Sequence, residues 1–433
     1  MDAEALRAKL SGVTTLRAQG RVAGVTGLSL KAQLPGARVG DVLLVSRRGE
    51  PLRAEVVGFA GGEVIAMPFG DLRGVGPDDL VESNGQPLRI AAGEALLGRV
   101  LNGFGEPLDN DALPRGLKEV PAVCAPPPAL ERKPVDEVLS TGVRVIDGLL
   151  TVGVGQRVGL FAGSGVGKST LLGNIAKGVQ ADVVVIALVG ERGREVGDFI
   201  TDCLGEALNK SVLVVATSDS PALERLKAAQ TATAIAEHFR DQGKSVMLLV
   251  DSVTRYARAL REIGLAAGEP PARRGYPPSV FAELPRLLER TGQSSKGAIT
   301  AMYTVLVEGG DMEEPIADEV RGILDGHIVL DRAIAARGHY PAVDVPRSLS
   351  RVMGKCVSEQ HARAASIVRS LLGVFDEKRD LIQLGAYKRG ADAAVDKAVA
   401  AMPSINEFLQ QQSAPTAYET AVKQLAELSK RFG

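Results

Sequence analysis

The sequence predicts an α/β protein: a doubly wound core built on a phosphate loop, a small β-barrel before it and a helical domain after it. Three observations carry this. Residues 157–172, RVGLFAGSGVGKSTLL, read as an apolar strand, a glycine-rich turn and the start of a helix. Downstream, wholly apolar runs such as VVVIALV at 183–189 alternate with helical stretches, as a sheet covered on both faces requires. Upstream, between about residues 17 and 90, short Val/Leu-rich runs alternate with glycine turns instead. The division expected is 1–92 for the barrel, 93–345 for the core and 346–433 for the helical domain.

The elements follow in order. Residues 1–16 are charged and helix-like, unlike a signal peptide. GRVAGVTG, ARVGDVLLVS, AEVVGFAGGEVIAMPFG and PLRIAAG mark an antiparallel barrel or sandwich with a structural role. Residues 96–110 are turn-rich, and CAPPPALERKP at 124–134 is an extended proline-rich connector. In the core, strands are expected at 183–189, 212–216, 246–250 and 299–307. A helix is expected at 221–242, with Ser220 as N-cap, Pro221 at its first position and Gly243 just beyond it. Its apolar residues, among them Leu223, Leu226 and Ile235, lie mainly on one face. The acidic stretch 308–315 reads as a solvated loop capping the helix after Pro315. Beyond Pro346, helical spacing recurs at 364–372, 391–401 and 417–431.

Composition narrows the function. Lys and Arg number 51 against 52 Asp and Glu, so no global charge points to nucleic acid or a membrane surface. Aromatic residues are 4% with no tryptophan, which argues against a base-stacking surface. The apolar run at 183–189 is too short to span a bilayer. Cys124, Cys203 and Cys356 lie far apart and form no metal spacing, which reads as reduced thiols in a cytosolic protein. The four histidines show no paired spacing either.

The chemistry gathers at the glycine-rich turn. Gly163, Gly165 and Gly167 let the backbone turn tightly and aim its N–H groups at a phosphate; Ser164, Val166 and Thr170 complete the loop. Lys168 brings a compact positive charge to the terminal phosphates, and Ser169 a hydroxyl to a bound Mg²⁺. The helix N-terminus adds its dipole. The pattern G-x-x-x-x-G-K-[ST] departs only at its first position, Ala162, which is tolerated where φ is negative. VMLLVD at 246–251 is a strand ending in Asp251. Alone it is ordinarily a turn residue; downstream of a phosphate loop it is a metal-shell carboxylate. Glu191, just past the strand 183–189, is the candidate to orient the water that attacks a γ-phosphate. The alternative is a solvated charge. Arg192 and Glu195 read as supporting residues. Tyr340 in GHYPAVDV is placed to stack on a base, and Arg351 in SLSRVM to act as an arginine finger. On sequence alone either is as readily a packed or solvated loop residue.

Taken together, GRVLNGFGEPLD, FAGSGVGKST, LVGERGREV, LLVDSVTRYARALREIGLAAGEPPARRGYPPSVF, YTVLVEGGDMEEPIADEVRGILDGHIVLDR and HYPAVDVPRSLSRVM resemble the type III secretion ATPases of injectisomes and flagella, relatives of rotary ATP synthase catalytic subunits. The resemblance runs from about residue 17 to the end. It implies a P-loop (RecA-like) Mg²⁺-dependent ATPase forming a homohexameric ring at the cytosolic face of the inner membrane. Such a ring is peripheral to the export gate, works with a stator, a central stalk, export chaperones and secreted substrates, and binds no nucleic acid. Lys168, Glu191 and Arg351 match the family's catalytic set. Gly163 to Thr170 with Tyr340 match its nucleotide-binding set, and Ser169 with Asp251 its metal set. The short lead before the barrel favours an injectisome; a flagellar export ATPase is the alternative. Less favoured are a rotary ATPase subunit, a Rho-like nucleic-acid translocase and a nonhydrolysing scaffold.

Overall fold

The structure, a computed structural model, describes residues 17–109 and 111–433; the helix expected over residues 1–16 lies outside them. The first strands are β1 (Ala18–Thr26), β2 (Ser29–Gln33), β3 (Asp41–Val45), β4 (Leu52–Ala60), β5 (Glu63–Pro68) and β6 (Leu80–Pro87). They close into an antiparallel barrel in the order β1-β2-β5-β4-β3-β6. Strand alternation fills it: Leu43 and Val45 are fully buried inside, and Leu44 between them faces out. Closure leaves no sheet edge, which resolves the barrel-or-sandwich alternative.

Two stretches depart from expectation here. β7 (Arg89–Ala92), expected within the barrel, pairs instead with β9 (Lys118–Pro121). The turn-rich stretch contributes β8 (Val100–Asn102), which joins the edge of the main sheet alongside β14. Neither strand is long enough to show a period in sequence.

After the short ladder of β10 (Val138–Leu139) and β11 (Val152–Gly153) comes the main sheet. Its strands are β12 (Arg157–Ala162), β13 (Val183–Glu191), β14 (Ser211–Thr217), β15 (Ser245–Asp251), β16 (Gly292–Gln293), β17 (Ala298–Leu306), β18 (Gly326–Leu330) and β19 (Leu349–Ser350). The order is β19-β18-β12-β17-β15-β13-β14-β8, with β16 on β17. From β18 to β8 every pair is parallel. β13 shows why its sequence is wholly apolar. Val183, Val185, Ala187 and Val189 pack into one core cluster, and Val184, Ile186 and Leu188 into the cluster on the other face. Because both faces are covered, every side chain is buried.

The helix Ala222–Asp241 differs from its expected form. Pro221, not Ser220, is its N-cap, and it makes no side-chain cap bond. The Ser220 hydroxyl instead accepts the Thr217 N–H (3.2 Å), closing the turn after β14. Nor is burial confined to one face, because the helix Val253–Ala266 and the β7–β9 ladder pack on it as well as the sheet, and one end reaches the barrel. There Lys227 meets Glu55 of β4 at 2.7 Å, both nearly buried. The Thr231 hydroxyl donates to the Gly103 carbonyl (2.8 Å). Phe69 of the barrel stacks on Phe104, centroids 4.1 Å apart, beneath the Arg53 guanidinium.

The helices Glu359–Gln383, Ala393–Leu409 and Tyr418–Phe432 complete the chain. They cover the sheet face opposite the helix Ala222–Asp241 and hold the short helix Arg144–Leu149. β19, beyond Pro346, still belongs to the main sheet. All three cysteines are free thiols. No helix among the described residues is long and apolar enough to cross a membrane.

Candidate nucleotide site

β12 lies inside the sheet, between β18 and β17, and ends in Ala162. Among the described residues the non-glycine residues with positive φ are Asp78 and Arg274, so Ala162 needs no glycine's freedom. Gly165 (φ 76°) and Gly167 (φ 82°) do need it: both stand in the left-handed region that turns the loop back onto the helix Lys168–Gly178. The Val166 side chain is buried in the core, so only its backbone faces the loop's interior. The Ser164, Ser169 and Thr170 side chains are exposed.

Lys168 opens the helix and reaches across the sheet's carboxyl edge. Its Nζ lies 2.5 Å from Asp251 Oδ1 and 3.1 Å from Glu191 Oε1. Asp251 and Glu191 are the last residues of β15 and β13, so parallel strands bring residues distant in sequence to one edge. Glu191 was expected just past its strand. It is instead the strand's terminal residue, after a register shift at Gly190 (φ 70°). A Cβ on Gly190 would meet Arg255 Cδ at 2.8 Å.

Sequence reasoning gave no role to two of the residues that hold these carboxylates. Arg255, in the first turn of the helix Val253–Ala266, pairs with Glu191. Thr304 of β17 donates its hydroxyl to Asp251 Oδ1 at 2.7 Å. Burial alone raises the Glu191 carboxyl, but the Arg255 hydrogen bond and the Lys168 charge outweigh it and hold the pKa at about 2. Glu195 is pushed up, first by its hydrogen bond with Glu191. Arg255 lies four residues after Asp251, and Thr304 is a polar residue inside an apolar strand. Those spacings were the available signals.

A cavity of about 660 Å³ opens over the loop, bordered by Lys168, Ser169, Glu191, Arg255, Glu308 and Arg332. The stretch 308–315, expected as a solvated cap, thus reaches the rim of this cavity. Glu314 caps the helix Pro315–Ile323 without a side-chain bond. A larger cavity, about 1310 Å³, adjoins the first through Gly165, Gly167 and Thr170. Tyr340 borders it, with ring atoms 3.2 Å from where a Gly167 Cβ would stand. Asn406 and Gln411 of the helical domain form its far wall. Gln411 donates its backbone N–H to the Tyr340 carbonyl (3.0 Å) and its side-chain amide to the Gly142 carbonyl (2.8 Å). A small charged cavity beside a larger one bordered by an aromatic ring suits a polyphosphate with a base attached.

Arg351 is not brought to this place. Its N–H donates to the Asp325 carbonyl (3.0 Å), just ahead of β18, while β18 meets Ala162 at its other end, Leu330. Arg351 is exposed at the opposite end of the sheet from its own chain's loop.

Comparison with known proteins gives a consistent picture. Residues 142–350 match the nucleotide-binding domain of the ATP synthase alpha/beta family, and residues 357–427 match the T3SS EscN ATPase C-terminal domain. The chain is 54% identical over 415 residues to a flagellum-specific ATP synthase of Bacillus subtilis, covering 95% of each. It is 49% identical over 428 residues to a type 3 secretion system ATPase of Xanthomonas euvesicatoria, covering 98% of this chain and 97% of that one. Among solved structures it is similar to the assembled ATPase EscN of the enteropathogenic E. coli type III secretion system (TM-score 0.90, 48% identity, 95% of this chain and 100% of that one). EscN has also been solved with its central stalk EscO (TM-score 0.87, 47% identity, the same coverage).

Proposed function

This chain belongs to the family of type III secretion and flagellar export ATPases, related to the ATP synthase alpha and beta subunits, and we propose that it hydrolyses Mg-ATP to drive protein export through an injectisome. The observation that carries the hydrolase reading is the Lys168–Asp251–Glu191 cluster beside the phosphate loop. Lys168 leaves its carboxylates for the β- and γ-phosphates when nucleotide enters. Glu191 then loses one of the two cations that depress its pKa and becomes a better base for the attacking water. Asp251 and the Ser169 hydroxyl are hard oxygen donors, the set that Mg²⁺ takes together with phosphate oxygens and water. When bound, Mg²⁺ neutralises phosphate charge. Tyr340 packs against the base.

Arg351, remote from its own loop, serves the site of the neighbouring subunit in a homohexameric ring. The ring sits at the cytosolic face of the inner membrane, peripheral to the export gate, with a stator and a central stalk. It frees export substrates from chaperones and helps to unfold them. The resolution of EscN with its central stalk supports the stalk partner.

A second reading, the flagellar export ATPase, is favoured by the 54% identity to the Bacillus subtilis protein. Two measurements test these readings. Phosphate release from Mg-ATP is expected in the intact chain and not in Lys168→Ala; turnover by that variant overturns the site. Deleting the gene is expected to stop effector secretion and spare motility. Loss of motility with secretion intact moves the chain to the flagellum.

A further inference from the structure

We propose that Arg332 is a phosphate-binding residue, holding the non-reacting phosphates on the flank of the loop opposite Glu191. The inference rests on the nucleotide reading above and extends it to a residue with no assigned role.

Arg332 is the first residue of the short helix Arg332–Ala336, directly after β18. β18 borders β12 on one side; β17, β15 and β13, which carry Thr304, Asp251 and Glu191, lie on the other. Arg332 therefore approaches the loop from the flank away from the hydrolytic carboxylate. Its Nη2 donates to Ser164 Oγ at 3.1 Å. Its Nε lies 3.0 Å from where a Cβ on Gly163 would stand, so the guanidinium lies close against the loop backbone where only hydrogen occupies that position. It lines the same cavity as Lys168 and Glu191.

The charge balance points the same way. The three other cations lining this cavity are all paired: Lys168 and Arg255 with the carboxylates, and Arg192 with Glu195 at 3.6 Å. Arg332 makes no ion pair among the described residues, and the preceding Asp331 is turned to cap the helix and lies 3.8 Å from Arg347. An unpaired guanidinium beside a phosphate cavity has its full charge and several N–H donors free for phosphate oxygens. Ser164 occupies one donor in the meantime and keeps the side chain laid against the loop.

Because this flank is away from the attacking water, the contact acts on bound nucleotide and product alike. Such an interaction lowers KM and leaves kcat unchanged. The test uses the full chain, with R332A and R332K, and measures ATP, ADP and AMP binding together with steady-state kinetics. R332A is expected to weaken ATP and ADP to a similar degree, by about 10-fold, the scale of one charge-assisted hydrogen bond. KM should rise in step, kcat should hold within about twofold, and R332K should recover part of the loss. R332A with wild-type affinity overturns the proposal, as does a fall in kcat at unchanged affinity. Failure of the wild-type chain to bind Mg-ATP overturns the nucleotide reading itself. The Arg332 side chain is exposed, so folding does not depend on it.

Discussion

Glu191 sets the residue-scale problem. It is buried with two cations near it, and its carboxyl is held at about 2. In the hydrolysis proposed above, a group so acidic is a poor base until phosphate draws Lys168 away. Glu191→Gln keeps the shape of the side chain and removes the base. Nucleotide binding is expected to persist while turnover falls by about 10²–10⁴-fold; single-turnover phosphate release checks this. The same depressed pKa has a stability consequence. The folded value lies below the ordinary 4.5, so what the ionised Glu191 contributes to stability is complete above about pH 4.5 and lost as pH falls towards 2. The gap in urea midpoint between wild type and Glu191→Gln should therefore narrow over that window.

At the scale of elements, two junctions hold the parts together by different means. The barrel meets the core through the Lys227–Glu55 pair, with side chains only 5% and 11% exposed. Removing one partner leaves an uncompensated buried charge, so Lys227→Met is expected to cost about 3–5 kcal/mol. Replacing both by apolar residues should restore most of it, and chemical unfolding of the single and double variants decides the matter. The helical domain is tied instead through Arg144, which donates to the Phe408 carbonyl (2.7 Å), the Glu407 carbonyl (3.0 Å) and the Gln424 side chain (3.2 Å). Its backbone N–H donates to the Gln411 side chain, and Gln411 in turn holds the Tyr340 carbonyl. Arg144→Ala is expected to speed proteolysis across residues 410–417 and to weaken nucleotide binding together with it. Faster cleavage with unchanged binding would separate the domain from the base cavity.

For the whole molecule, the decisive feature is where Arg351 stands. Its backbone stands at the opposite end of β18 from its own phosphate loop, so any role in hydrolysis is expected to belong to another copy. Activity per subunit is therefore expected to rise with protein concentration as subunits associate. Arg351→Ala should remove that rise without preventing association, measured by light scattering beside the ATPase assay. Constant specific activity across the association range would make Arg351 a surface residue and nothing more.

Much of this was legible in the chain before folding. The glycine-rich loop announces itself because its function needs glycines, a lysine and a hydroxyl at adjacent positions. The apolar runs of β13 and β15 announce a covered sheet, since period-two alternation disappears when both faces are buried. Local signals also misled. Ser220 and Pro221 have the right chemistry to start a helix, yet the turn after β14 took the serine. β8 and β19 are too short to carry a period and exist because a neighbouring strand offers an unpaired edge. Sequence by itself determined where the glycine-rich loop, its lysine and its hydroxyl stand, because that chemistry resides in side-chain type and close spacing. Tertiary structure alone decided which polar groups meet: Arg255 with Glu191, Thr304 with Asp251, Arg332 with Ser164, and Gln411 with Tyr340. Those contacts depend on strand order and on the packing of remote helices, and neither is written in the spacing of residues along the chain.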